Sequence, residues 1–194
     1  MVELAPWRSP MSRALHLNRA LPYARYCQLA TVRNNGTPAN RTVVFRGFST
    51  EGHLQIVTDQ RSEKIQHITQ CPWGEICWYF PKTREQFRLS GRVTNIDVDC
   101  SDENLSDIRK SLWNTLSDKA RAQFAWPFPS HNRENHAAFN RDAPAPDAPL
   151  AQFCVLLLAP HRVDHLELRG NPQDRCIYEL NNDTNEWRVR IVNP

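Results

Sequence analysis

The sequence predicts a mainly β protein with peripheral helices, its antiparallel strands closed or partly closed into a barrel. Two observations point there directly. From Tyr23 onward apolar and polar residues alternate at period two and turn residues punctuate them. Asn34-Asn-Gly36, lying between two such stretches, is a strong hairpin signal. About six or seven antiparallel strands with helices at their edges are then best accommodated by closure, which removes exposed strand edges.

Ser9-Pro10 offers a capped helix start with proline in the first turn, which predicts a helix through about Arg19. Tyr26–Arg33 and Pro38–Phe48 form the first hairpin, and Glu51-Gly52 turns the chain into a third strand, His53–Thr58. Ser62–Gln70 carries Ile65 and Ile68 three apart and is stopped by Cys71-Pro72, so it is a short helix. Gly74–Pro81 and Glu85–Asp97 make another hairpin around Lys82-Thr83-Arg84. Leu105, Ile108, Leu112 and Leu116 recur at helical spacing within Ser101–Leu116, and Ser117–Ala125 continues as a second short helix. Pro127–Leu150 is rich in proline and reads as a long loop. Gln152–Leu168, broken near Pro160, then Arg175–Asn181 and Glu186–Val192 complete the strands. We read residues 1–194 as a single domain, with a helical insertion at about 101–126 and the proline-rich loop at about 127–150.

Bulk properties exclude several classes. The 194 residues suffice for a full core without disulfide staples. Net charge is +3, and no block of like charge is long enough for a nucleic-acid face. The longest apolar run, Phe153–Ala159, is far too short to span a bilayer. Met1–Trp7 lacks the cationic start and apolar stretch of a secretory leader, so a cytoplasmic location is expected. The six cysteines form no C-x-x-C pair and read as small buried apolar residues. His161 and His165 lie four apart but lack a completing carboxylate or thiolate in the sequence nearby, so no metal is expected. Glycine-built nucleotide loops and a G-x-S-x-G elbow are both absent. Trp78-Tyr-Phe80 and Phe124-Ala-Trp126-Pro-Phe128 read as core aromatics rather than stacking platforms.

Two segments carry the chemistry: Arg41-Thr-Val-Val-Phe-Arg46 and Ile56-Val-Thr-Asp-Gln-Arg-Ser-Glu-Lys64. They bring Arg41, Arg61 and Lys64, with the hydroxyls of Thr58 and Ser62, toward a predicted helix start. Unpaired N–H groups and the positive end of the helix dipole favour a phosphate there, and the cations add charge-assisted hydrogen bonds. By charge alone the same residues fit a solvated basic hairpin.

The order of the pieces resembles the FMN-binding half of the pyridoxamine 5'-phosphate oxidase family. That family's R-x-V-x-x-[KR] strand matches Arg41, Val43 and Arg46. A strand ending in Thr matches Thr58, Ser-x-Lys matches Ser62 and Lys64, and a later strand with Gln matches Gln86. At the far end, Asp174-Arg175-Cys-Ile-Tyr178 is similar to its D-R-x-x-Y, and Trp187–Pro194 to its closing W-x-[IV]-x-x-[LV]-x-P. The resemblance covers roughly Tyr23–Asn95 and Gln152–Pro194. It implies a split β-barrel homodimer with FMN at each end of the subunit interface. Arg41, Ser62 and Lys64 would hold the phosphate with Arg61 as helper, and Thr58 and Val57 would lie alongside. The stretch Thr42, Val43, Val44, Phe45 and Arg46 would meet the ring, Gln86 would donate to its edge, and Leu166 and Arg175 would approach from the partner subunit. Each has a duller role open to it: Thr58 as a helix cap, Gln86 as an outward strand residue, Arg175 paired with Asp174 or Glu179.

Departures from the family bear on activity. Arg61 and Glu63 stand where a glycine and a basic residue often flank the serine, and Leu166 stands where the family has tryptophan. Asn171–Arg175 lacks Arg-x-His, and the residues that grip the substrate phosphate map loosely to Trp113 and Ser117. The first expectation is an FMN-dependent oxidoreductase with a changed substrate site, with Arg46 and Arg175 as candidates for orienting substrate and no assigned acid or base. A non-catalytic flavin carrier or sensor dimer is the second, and a true pyridoxamine phosphate oxidase the third. No nucleic acid or membrane partner is expected.

Overall fold

A computed structural model describes residues 4–194; Met1–Glu3, part of the leader argument above, lie outside the described residues. Eight strands form one sheet: β1 Tyr26–Val32, β2 Pro38–Phe48, β3 Leu54–Asp59, β4 Trp73–Phe80, β5 Glu85–Ile96, β6 Phe153–Glu167, β7 Asp174–Asn181 and β8 Glu186–Val192. Their order is β3-β2-β1-β4-β5-β6-β7-β8, and β3 also pairs with β6, so β1–β6 close into an antiparallel barrel. The helices are α1 Arg8–Asn18, α2 Glu63–Gln70, α3 Glu103–Asn114 and α4 Asp118–Ala122. The chain is mostly β, with eight strands against the six or seven expected. Among the described residues no helix is long and apolar enough to cross a membrane.

The β6 strand is what splits the barrel. Its first half, Phe153–Leu158, pairs with β3, and its second half, Arg162–Glu167, pairs with β7. Pro160 was expected to break the strand; instead β6 runs through it. Proline lacks an N–H and is tolerated where a ladder bond is not required, and Pro160 falls in the gap where β3 has left and β7 has not begun. Next to it β6 bulges: adjacent Ser90 and Gly91 of β5 face Arg162 and Pro160, which leaves His161 as the extra residue. A Cβ on Gly91 would lie 2.0 Å from the Ala159 carbonyl oxygen, so only glycine fits that approach.

Both faces of β6 are buried, which is why its first half reads as an uninterrupted apolar run. Cys154, Leu156 and Leu158 enter the barrel core with Leu29, Ile56, Ile76, Trp78, Phe80 and Phe87. Phe153, Val155 and Leu157 enter a second cluster with Leu112, Trp113 and Leu116 from α3 and the turn after it. Helix α1 adds Trp7, Met11 and Ala14 to the barrel core, and α2 adds Ile65 and Ile68.

Helix α1 starts two residues earlier than a cap at Ser9 would have it, with Trp7 at the N-cap and no side-chain capping bond. Burial of Trp7 in the core fixes this end, and Pro10 sits in the first turn, where the missing N–H costs nothing. At the other end buried Asn18 donates to Thr83 and accepts from the Lys82 amide, tying α1 to the β4–β5 turn. The loop after α4 is not structureless: Gln123–Ala125 and His136–Phe139 are 3-10 turns.

Candidate functional site

The end of β3 and the start of α2 build an oxygen-rich corner. Ser62 is the N-cap of α2 but does not cap it with its side chain; its hydroxyl donates to the Asp59 carbonyl at 2.6 Å. Lys64 folds back over this turn and donates to Thr58 Oγ1 and Ser62 Oγ, both at 2.8 Å. From β2, Arg41 Nη1 donates to the Leu29 carbonyl at 3.1 Å and to Thr31 Oγ1 at 2.7 Å. Burial, followed by the charge of Arg41, pulls the Lys64 pKa below its ordinary value. Arg41 is lowered as well, by burial first and then by Arg33, with Glu63 opposing. Among the described residues no carboxylate forms an ion pair with either cation. Two neighbouring desolvated cations whose hydrogen bonds, among the described residues, all run to neutral oxygens have the chemistry to hold an anion.

Arg61 does not join them. Its guanidinium forks onto Asp59 at 2.9 and 2.6 Å and reaches the Trp126 carbonyl at 3.1 Å. The bond to Asp59 raises its pKa and neutralises its charge, so the expected helper cation instead fastens the loop after α4 to the β3–α2 turn. Glu63, on the first turn of α2, leans toward Arg33 at 3.3 Å and His67 at 3.4 Å.

Further along β2, Thr42 and Val44 alternate with buried Val43 and Phe45 up to a bulge between Phe45 and Gly47. Arg46 sits in that bulge. Its Nε is buried without a partner, and burial followed by the charge of nearby Arg25 lowers its pKa. Val57 packs against the second cluster. Sequence reasoning did not single out Arg25, Thr31 or His67; the three-residue spacing of Lys64 and His67 on α2 was the available signal for the last.

The remaining predicted residues form a second group. Gln86, Leu166 and Arg175 stand in one row, because Gln86 pairs with Leu166 and Leu166 with Arg175. Arg175 is clamped by Asp164 at 3.0 and 2.7 Å, rather than by Asp174 or Glu179. Thr58 pairs with Cys154 at the start of β6, whereas Leu166 lies near its end. The intervening strand is about 40 Å of extended chain at 3.3 Å per residue. Gln86 therefore belongs with Leu166 and Arg175 and not with the corner.

Several other expectations meet particular surroundings. Trp113 is fully buried and donates to the Ala145 carbonyl, and Ser117 caps α4, so both are structural. Trp78, Phe80 and Phe124 are core aromatics, but Tyr79, Trp126 and Phe128 are exposed, against the core reading of those clusters. Burial pushes the thiols of Cys27 and Cys154 up to about 12, which suits inert side chains. His165 joins Glu85 and Glu167 within 4.8 Å, a grouping that sequence spacing did not reveal. Arg13 supplies the counter-charge, at 3.2 Å from Glu85 and 3.7 Å from Glu167.

Fold and corner together define a split-barrel protein that takes a phosphate-bearing ligand. Residues 4–97 match the pyridoxamine 5'-phosphate oxidase FMN-binding domain. The chain is 38% identical to pyridoxine/pyridoxamine 5'-phosphate oxidase 2 of Arabidopsis thaliana, over 98% of each protein. It is 52% identical to a pyridoxamine 5'-phosphate oxidase-related, FMN-binding protein of Nostoc punctiforme, with a TM-score of 0.96 and full coverage of both chains. PhzG of Burkholderia lata, solved with tetrahydrophenazine-1-carboxylic acid, shares the fold at a TM-score of 0.81 but only 18% identity, covering 100% of this chain and 94% of its own. The chain belongs to the pyridoxamine 5'-phosphate oxidase FMN-binding family, and its cofactor is FMN.

Proposed function

We propose that this chain is an FMN-dependent oxidoreductase related to pyridoxamine 5'-phosphate oxidase, with an altered substrate site. The observation that carries the reading is the Arg41–Lys64 corner, two desolvated cations that form no ion pair with a carboxylate among the described residues. Arg41, Ser62 and Lys64 hold the terminal phosphate, Thr58 and Val57 flank it, and Thr42–Arg46 line the ring. Bound FMN supplies the hydride chemistry, and the protein binds, orients and shields. Arg46, with a buried nitrogen lacking a partner, and Arg175 orient the substrate.

One flavin meets both groups only if a second copy supplies Gln86, Leu166 and Arg175. We therefore read the working unit as a homodimer with flavin at the subunit interface, the whole chain acting as one flavin-binding domain. Tyr26, opposite Val44, and Tyr79, opposite Gln86, are 49% and 46% exposed and give those faces apolar surface to cover.

A flavin carrier or sensor without catalysis is the second reading, and the structural engagement of Trp113 and Ser117 favours it over a true pyridoxamine phosphate oxidase. The test is a visible absorption spectrum of the purified protein, followed by anaerobic addition of substrates. Flavin bands that bleach with an amine or nicotinamide donor are expected. Protein that stays colourless after incubation with FMN contradicts the flavin reading. Flavin that no amine, nicotinamide or quinone turns over selects the carrier, and formation of pyridoxal phosphate from pyridoxamine phosphate selects the true oxidase.

A further inference from the structure

Behind the cation corner lies a polar layer that cofactor binding as described does not use. Thr31 and His67 are 2% and 3% exposed, so their polar atoms must find partners inside the protein. Thr31 Oγ1 accepts from Arg41 at 2.7 Å, which leaves its own proton for His67 Nδ1 at 3.0 Å. Nε2 faces the Glu63 carboxylate oxygen at 3.4 Å, an acceptor, and the tautomer with its proton there leaves Nδ1 to accept from Thr31. Arg33 Nε holds the same carboxylate oxygen at 3.3 Å.

We propose that His67 is a positioning residue for the cofactor: through Thr31, its Nδ1 fixes the guanidinium of Arg41 toward the phosphate end of FMN. The inference rests on the flavin reading of the corner. Without the bond to His67 the Thr31 hydroxyl is free to rotate, and Arg41 keeps the Leu29 carbonyl as its only fixed acceptor. The same histidine helps hold Glu63 toward Arg33, so an acid on the first turn of α2 is drawn away from where an anion would bind. One short helix thereby sets both cations, carrying Lys64 directly and steering Arg41 through β1.

The full-length protein is titrated with FMN and with riboflavin, which shares the ring system but lacks the phosphate. His67→Leu removes the bond to Thr31, Thr31→Val removes that bond and the one to Arg41 as well, and His67→Asn returns an acceptor close to the Nδ1 position. His67→Leu is expected to lose about threefold to tenfold in FMN affinity, the range of one lost hydrogen bond, Thr31→Val at least as much, and both to hold riboflavin affinity within about twofold. His67→Asn should recover most of the loss. Unchanged FMN affinity, or equal losses for both flavins, overturns the proposal. His67→Phe, which keeps a ring but no acceptor, decides the matter if His67→Leu does not fold. Wild-type protein that fails to prefer FMN over riboflavin would instead count against the phosphate corner itself, so the two failures are distinguishable.

Discussion

At the scale of single residues, the corner depends on the protonation of Lys64. Its ammonium is disfavoured by burial and by Arg41, and a bound phosphate would favour it again. As pH rises, the flavin-free protein loses this proton before an ordinary lysine would, and FMN affinity should fall from that point toward the usual lysine range. In the flavin-free chain the sign is opposite: stability rises as pH climbs from the lowered folded-state pKa to the unfolded one. Titrations with FMN from neutral to alkaline pH check the first effect. Lys64→Met should bind more weakly throughout and show a flatter profile, whereas an equally steep profile would move the titrating group elsewhere. Arg61 marks the limit of residue-level reading. Sequence places it one position before Ser62, but the chain alone does not say that Asp59, two residues earlier, captures its guanidinium.

At the scale of elements, Gly91 is the position where one atom decides the fold. It lets β5 approach the bulge of β6 at Pro160–His161, between the half of β6 that serves β3 and the half that serves β7. Gly91→Ala should destabilise the protein by about 3 kcal/mol, read as a lower urea midpoint, because the clash is with backbone and not with a flexible side chain. A midpoint unchanged from wild type would show that the strand can slide. Most strands were legible because their alternation and turn residues agree: β2 and β8 begin and end where periodicity places them. The continuity of β6 was not, since proline in a strand argues for a break, and the missing β3 and β7 neighbours that excuse it are set by tertiary register. The start of α1 was also misplaced, because core burial of Trp7 outweighs the local capping preference of Ser9.

At the scale of the whole molecule, the candidate site residues fall into two groups that one chain holds apart. Arg41, Thr58, Ser62 and Lys64 surround the β3–α2 corner, and Gln86, Leu166 and Arg175 line a row at the other end of β6. Motif order along the sequence named the candidates of both groups but not their separation, because adjacency across a barrel is decided by register and shear. The second copy we propose to bring both groups to one flavin is the central claim, and a crystal structure of the protein with FMN tests it most directly. The account predicts the flavin phosphate between Arg41, Ser62 and Lys64 of one protomer, with Gln86, Leu166 and Arg175 of the other against the same flavin. A phosphate bound elsewhere, or a flavin contacted by one protomer alone, would contradict it.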